Sequence, residues 1–440
     1  MFELRKPLDD VSRRSFLEYT AASMLGVTVL PGALALAQDG KKKPAAKAAA
    51  SGKRTGPGQA EHVIYLFMSG AMSHLDTFDC RGGRENEAET KPIQTKASGL
   101  SLGQWLPELA KLGDQFAVVR NLHTETADHD GGRYFMRTSY KEIASIRHPG
   151  MGAWIMKLQG VRKNRSLPDN VLVGGENRHP GAGFLEPIYT PIPIGDPNAG
   201  LQNTRQPEYL TGGTFEKRLE LIDKFDASFR RKYPQKQVEA YSEFYKQAEA
   251  LMGSEDLKAF DLNQEKKEVR EKYGMDRFGQ GCLLARRLIE NDVKFVEVTF
   301  GGWDMHTDIY DKIGNTAGIM DKAVAALLGD LQAKGLLDKT LVVVATEFGR
   351  TPKINQNSGR DHHPGVFAGM LAGGGIRGGA VWGASDKDGH HPEDEGTSVA
   401  DFNATIAHAL GLPLGQEVFS GSGRPFKVAH DGKPVTKLFG

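Results

Sequence analysis

The sequence predicts an α/β fold, a mostly parallel central sheet with helices on both faces, from three observations. Near-continuous apolar, β-rich runs recur at 62–68, 116–120, 295–300 and 341–345. Such runs read as strands buried on both faces, the habit of parallel sheets covered by helices. Between them stand stretches with apolar residues at helical spacing, which completes the alternation that favours a parallel sheet. Polar segments rich in carboxylates and imidazoles follow the later strands, and the carboxyl ends of strands are where open α/β sheets place ligands.

The elements follow in order. His62-Val63-Ile64-Tyr65-Leu66-Phe67-Met68 forms the first strand and stops at Ser69-Gly70. A short helix spans 106–112 and a second strand 116–120. A helix covers 133–139 after the Gly131-Gly132 turn. Residues 167–206 are crowded with Pro, Gly and Asn and read as long surface loops able to roof a pocket. The section at about 213–273 differs in kind: Leu219, Leu221, Ile222 and Phe225, then Phe244, Tyr245, Ala248 and Leu251, mark a helical insertion packed on the sheet. The α/β rhythm resumes with a helix at 281–291, a strand at 295–300, a helix at 316–333 and a strand at 341–345. Residues 366–372 run into Gly373-Gly374-Gly375, a turn at a strand end, and a late helix spans 402–410. The glycines of that turn keep no G-x-G-x-x-G register, so no dinucleotide fingerprint is present.

Length and charge bound the function. The chain has 440 residues, with 56 Lys and Arg against 55 Asp and Glu, so nothing in the balance calls for nucleic acid. Fifty-three glycines suit a loop-rich α/β enzyme better than a helical bundle. Ser12-Arg13-Arg14-Ser15-Phe16-Leu17 is a twin-arginine export pattern, a weakly apolar stretch follows, and Ala35-Leu36-Ala37 offers a small-x-small cleavage site. Residues 1–37 therefore read as a signal peptide, 38–60 as a disordered basic linker, and 61–440 as the folded domain. Gly26, Pro31 and Gly32 argue against a membrane anchor, and no later stretch spans a bilayer. The expectation is export by the twin-arginine route to the periplasm or cell surface, with no transmembrane span in the mature chain. Cys80 and Cys282 are expected to stay unpaired, since nothing in their spacing implies bonding geometry.

Two segments carry the chemistry. Asp304 and His306 sit two apart, so on an extended segment they face the same way and can chelate one ion. His363, with His362 beside it, supplies a third ligand from a neighbouring strand end. Three protein ligands with an open position describe a catalytic metal site. The competing reading makes Trp303-Asp304 a loop cap and gives the two histidines ordinary hydrogen bonds. Glu347 either ligates a metal or acts as a base, and Arg350 holds an anionic oxygen, unless the two form an ion pair. In His129-Asp130-Gly131-Gly132-Arg133, an imidazole opens a helix where backbone N–H groups face an anion, or Asp128 and Asp130 simply cap that helix.

The stretches 69–79, 273–288, Gly302-Trp303-Asp304-Met305-His306, Glu347-Phe348-Gly349-Arg350, 359–364 and 372–379 resemble a bacterial domain-of-unknown-function family, number 1501. The resemblance runs from about residue 61 to the C-terminus. Its members often carry twin-arginine signals and are grouped with the alkaline phosphatase and sulfatase superfamily, which implies that superfamily's α/β sandwich. It further implies that Asp304 and His306 match an Asp/His pair binding one metal and that His363 matches the later His completing it. Glu347-Phe348-Gly349 stands where phosphatases have Asp-His-Gly, and Ser69-Gly70 where the first strand usually ends in Asp-Gly. His129 occupies, four residues before Arg133, the place of a sulfatase Cys or Ser nucleophile. A two-metal site is thereby reduced to one divalent ion, zinc or similar, with His129 as nucleophile or base and Arg133 and Arg350 on an anionic group. The implied function is an exported metal-dependent hydrolase of phosphate or sulfate esters, including sulfated or phosphorylated glycans. Its rival is a non-catalytic member of the fold that binds a glycan or protein at the cell surface.

Overall fold

The computed structural model describes residues 59–160, 166–175, 178–201, 251–252 and 254–440, with Lys217, Glu220, Leu221, Ile222, Lys224, Ala227 and Arg231 between them. Nine strands build one sheet: β1 (His62–Met68), β2 (Phe116–His123), β3 (Asn170–Val173), β4 (Ile192–Ile194), β5 (Phe295–Phe300), β6 (Thr340–Ala345), β7 (Phe367–Ala372), β8 (Val381–Trp382) and β9 (Thr397–Ser398). The order is β8-β2-β7-β6-β1-β5-β3-β4, with β9 also on β2. All pairings are parallel except those of β7, which runs antiparallel to both β2 and β6.

Every residue of β1 is buried, because the strand is covered on both faces. Ile64, Leu66 and Met68 point into one apolar layer, shared with helices α4 (Arg277–Glu290) and α5 (Ile309–Ala333). Val63, Tyr65 and Phe67 point into the other, shared with α1 (His129–Thr138), α2 (Met151–Gln159) and α6 (Val399–Ala409). The period of two along the strand divides one run between two cores. The fold class is the mixed α/β arrangement, mostly parallel with helices on both faces, that the alternation predicts. Among the described residues no helix is long and apolar enough to cross a membrane.

Several elements depart from the sequence expectation. Residues 167–206 contain β3 and β4, which extend the sheet to one edge. Runs of four and three residues are too short to stand out among prolines and glycines, and Pro193 is tolerated because β4 is an edge strand, paired on one side only among the described residues. Helix α1 begins at His129, taking both glycines into its first turns, since the Asp128 side chain caps it by accepting from the Gly131 N–H. Likewise α4 begins at Arg277 on an Asp276 cap, α5 extends back to Ile309, and α6 starts at Val399 on a Ser398–Asp401 capping box. The helix expected at 106–112 shrinks to Pro107–Ala110.

The expected signal peptide at 1–37 lies outside the described residues, as does the linker up to residue 58. Ala60, assigned to that linker, is fully buried and donates its N–H to the Ala409 carbonyl at 3.0 Å, so the domain begins before residue 61. Of the helical insertion, the described part holds a 3-10 turn at Glu255–Phe260 and the helix α3 (Lys267–Tyr273); most of 213–250 lies outside the described residues. Cys80 and Cys282 are both buried and unpaired.

One buried charge cluster ties α1 to the sheet. Arg137 approaches Glu297 of β5 from α1, with Nε–H donating to Oε1 at 2.8 Å and Nη2 at 2.7 Å, while its guanidinium lies over the Phe67 ring. His179 Nε2 sits 3.1 Å from the other oxygen, and its Nδ1 accepts from the Gly181 N–H, so Nε2–H is the donor to Glu297. Burial alone would raise the Glu297 pKa, but the Arg137 charge, then His179 and the hydrogen bonds, bring it down to about 2. A carboxylate depressed in the folded state stabilises it above the unfolded pKa and loses that contribution as pH falls through the folded one. Stability in urea should therefore drop as pH is lowered from about 4.5 toward 2. Glu297→Gln should cost about 3–5 kcal/mol at neutral pH and flatten that acid limb; an unchanged midpoint would count against the cluster as a structural tie.

Candidate metal centre

Four segments meet at the carboxyl edge of β1, and glycines let them approach. Gly70, at φ +115° directly after the strand, has no room for a side chain: a Cβ there would lie 2.6 Å from the Asp304 nitrogen. Gly359 presses the same segment from the other side, where a Cβ would stand 2.1 Å from the His306 carbonyl carbon. The segment carrying Asp304 and His306 is thus clamped between two backbones.

Three imidazoles point at one carboxylate. His129, first residue of α1, donates Nδ1–H to Glu347 Oε1 at 2.8 Å and presents Nε2 to Asp304 Oδ2 at 3.4 Å. His362 donates Nδ1–H to the Ala127 carbonyl at 2.6 Å and presents Nε2 to Asp304 Oδ1 at 3.4 Å. His306 donates Nδ1–H to Asp361 Oδ1 at 2.8 Å, with Nε2 3.0 Å from Asp304 Oδ1 and 3.0 Å from His362 Nε2. A carbonyl or ionised carboxylate oxygen only accepts, so each Nδ1 carries a proton, and wherever the ring is neutral its Nε2 offers a lone pair. In their neutral form these tautomers would aim Nε2 lone pairs at one region, where Arg350 Nη1–H donates to His306 Nε2 at 3.3 Å.

The geometry fits a metal ion. Ligand atoms at about 2.1 Å from a tetrahedral ion stand roughly 3.4 Å apart, close to the separations around Asp304. Ligand atoms of His129, Asp304 and His362 lie within 4.8 Å of one another. His129 Nε2 is buried without a hydrogen-bond partner, as expected of an atom reserved for a ligand. Each Nδ1 anchor fixes tautomer and ring orientation, the usual outer shell of a metal-binding histidine. Side-chain exposures of 48% at Asp304 and 42% at His306 leave the cluster open to solvent on that side.

His363 is placed elsewhere. Consecutive residues of an extended strand point to opposite sides, and His362–His363 is such a strand, antiparallel to Gly349–Arg350. His362 therefore faces the cluster while His363 Nε2 meets the His390 carbonyl at 2.6 Å, its ring near those of His390 and His391.

Glu347 is fully buried, accepting from the Gly70 N–H at 2.8 Å as well as from His129, with Thr346 Oγ1 3.2 Å from its second oxygen. Burial opposes its ionisation, but the His129 hydrogen bond, the backbone N–H groups and the His129 charge together hold its pKa below the usual value. It orients His129 and lies behind the cluster, not in it. Phe348, where the resemblance placed a lost imidazole, is a wall packed against both the His129 and His362 rings.

Arg350 is equally occupied. Its Nε–H donates to Ala71 O at 2.9 Å, Nη1 to Arg360 O at 3.1 Å and to His306 Nε2 at 3.3 Å, and Nη2 both to Gly70 O and to Asp304 Oδ1, the latter at 2.5 Å. These bonds leave no fork for an anionic substrate oxygen. Burial works against ionisation of Asp304, yet the Arg350 hydrogen bond and charge, then His129 and His306, bring its pKa down to about 2. Arg133 lies at the side of the cluster, its Nε 3.5 Å from Glu347 Oε1 and its Nη1 3.6 Å from Asp130 Oδ1.

Residues 60–439 match the model of a protein family of unknown function, DUF1501. The chain belongs to that family. No curated protein matches the DUF1501 chain in sequence. Among solved structures it is similar to the lipoteichoic acid synthase of Listeria monocytogenes, at 10% identity over 84% of this chain and 76% of that one, with a TM-score of 0.36. It is also similar to a sulfatase from Pseudoalteromonas sp., at 12% identity over 81% and 68%, TM-score 0.37. A third is the phosphonate monoester hydrolase of Silicibacter pomeroyi, at 13% identity over 86% and 76%, TM-score 0.36. At these scores the likenesses decide nothing about the DUF1501 site, which stands on its own geometry.

Arg350→Ala should unmatch the carbonyls of Gly70, Ala71 and Arg360 together. At about 1–3 kcal/mol per unsatisfied buried group, the expected loss is about 3 kcal/mol or more, read as a lower urea midpoint. A variant as stable as the parent would show that Arg350 is not a structural tie.

Proposed function

We propose that the chain is an exported, single-metal hydrolase of phosphate or sulfate esters. The observation that carries this reading is the convergence of three imidazole Nε2 atoms on Asp304, each ring held by an acceptor at Nδ1. His129, His306, His362 and Asp304 would hold the ion. A divalent ion bound there supplies Lewis-acid stabilisation of developing negative charge and lowers the pKa of bound water.

The remaining roles belong to the chain's own groups. Glu347 keeps the Nδ1 proton on His129, so its Nε2 faces Asp304. Asp361 and the Ala127 carbonyl do the same for His306 and His362. Arg350 stays charged beside Asp304 and keeps that carboxylate ionised across the physiological range. Arg133, whose donors border the cluster without sealing it, is the group to meet an anionic ester oxygen. Solvent reaches the cluster from the Asp304 and His306 side, where an attacking water and a substrate would enter. The twin-arginine pattern supports export, and a route that carries folded proteins suits a site assembled before transport.

Elemental analysis of the purified protein should give about one equivalent of a divalent transition metal. Asp304→Ala, His129→Ala and His362→Ala should each lose it, while His363→Ala should keep it. Turnover of p-nitrophenyl phosphate or p-nitrophenyl sulfate should fall with the metal, by about 10²-fold or more. Metal retained in His362→Ala, or a metal-free parent, would overturn the reading.

A further inference from the structure

A cleft of about 760 Å³ opens beside the cluster, a size that takes a ligand well beyond a single ester group. Strands β3, β4 and β5 all end at it, and each is followed there by glycine: Gly174 and Gly175 after Val173, Gly195 after Ile194, Gly301 after Phe300. A Cβ built at Gly175, Gly195 or Gly301 would meet no described atom within 4 Å. Packing among the described residues does not demand glycine at those three positions. What the glycines leave is room at the strand ends, where α/β sheets bind ligands.

The lining is a sugar-compatible mixture of apolar surface and charge. Phe278 and Phe300 stack with ring centroids 4.5 Å apart and give one apolar wall. Arg133, Arg178 and Arg277 line the same space, as do Asp130 and Asp276. Asp276 is committed to capping α4. The Arg178 and Arg277 side chains are 68% and 75% exposed, and their partners Asp130 and Asp196 form surface ion pairs. Such pairs are worth about 0–1 kcal/mol, so an anionic ligand exchanges with them at small cost. Arg133 spans both places, bordering Glu347 behind the cluster and lining the cleft. Ser69, adjacent to the Gly70 clamp, lines it too.

We propose that this cleft is a subsite for a second anionic group, held by Arg178 and Arg277, and that the substrate is a sugar- or polyol-sized molecule bearing at least two phosphate or sulfate groups. This rests on the hydrolase reading above for the group that reacts at the cluster; the subsite itself is a matter of binding and is tested as binding.

Calorimetric titration would compare glucose 6-phosphate with glucose 1,6-bisphosphate on the full protein, beside the Arg178→Ala/Arg277→Ala double variant and Gly195→Leu, which fills open space. The parent should prefer the bisphosphate by about tenfold or more, the expectation for one added charge-assisted contact. Both variants should lose that preference while keeping the parent's metal content. Equal affinity for the two sugars in the parent, or a preference untouched by both variants, would overturn the subsite. If the parent binds metal and turns over p-nitrophenyl phosphate yet shows no preference, the subsite fails and the hydrolase reading stands. If the arginine-dependent preference appears in a parent that holds no metal and turns over neither small ester, the subsite stands and the hydrolase reading fails.

Discussion

The guanidinium of Arg350 is the point on which the site hangs. It is buried, and its donors reach the carbonyls of Gly70 and Ala71 at the end of β1, the carbonyl of Arg360 in the loop before His362, and the carboxylate of Asp304. Three segments far apart in sequence are thereby fixed to one planar group whose fork has a rigid geometry. A lysine at this position would reach one or two of these acceptors and would not hold the plane. Burying that charge is tolerable because backbone dipoles and a paired carboxylate replace its water. A neighbouring buried pair repeats the device: Arg360 Nε–H donates to Asp76 Oδ2 at 2.7 Å, with Ser73 and Thr90 hydroxyls on the same carboxylate. The polar motif after β1 is thus mostly framework, and its strength lies in leaving few donors unsatisfied.

How much of this was legible in the sequence follows from which signals are local. β1, β5 and β6 announce themselves, because doubly covered strands are apolar at every position. β3 and β4 do not, because strands of three or four residues at a sheet edge have little pattern to show. Asp304 and His306 do meet, at 3.0 Å, but on a turn closed by the Met305 N–H to Trp303 carbonyl bond and not on the extended segment that a period of two assumes. The same rule separates His362 from His363, but only once the backbone between them is known to be a strand. His129 was visible as a reactive residue at a helix start, whereas its approach to Asp304 depends on a tertiary contact that no spacing encodes. Glu347 and Arg350 stand out in the sequence as a carboxylate and a cation around a glycine. Their saturation by backbone groups is a property of the folded chain alone. Gly70 and Gly359 carried a signal of another kind: glycines beside the polar segments mark where backbones touch.

The charge arithmetic of the cluster bears on what it accepts. With the three imidazoles neutral, Asp304, Glu347 and Asp361 contribute three negative charges, and Arg350 and Arg133 two positive ones. A dication reverses the sign of that sum, so a bound ion would turn a slightly anionic pocket into one that attracts anions. Glu347 and Arg350 are enclosed by protein and little screened, whereas Asp304, Asp361 and His306 sit at the mouth, in contact with solvent. The local field near the mouth therefore depends on salt more than the field at the base does.

The side chains of the cluster come from positions 129, 304, 306 and 362, on either side of a chain crossing that involves most of the sheet. No short fragment contains enough of them to compete for an ion. Loop-closure entropy must be overcome before these residues meet. An ion that bound only the finished arrangement would act as a lock, deepening the native well by mass action without guiding the route to it. Chelation would accordingly leave refolding rates nearly untouched and speed unfolding, and the ion would report on the completeness of the fold as much as on chemistry.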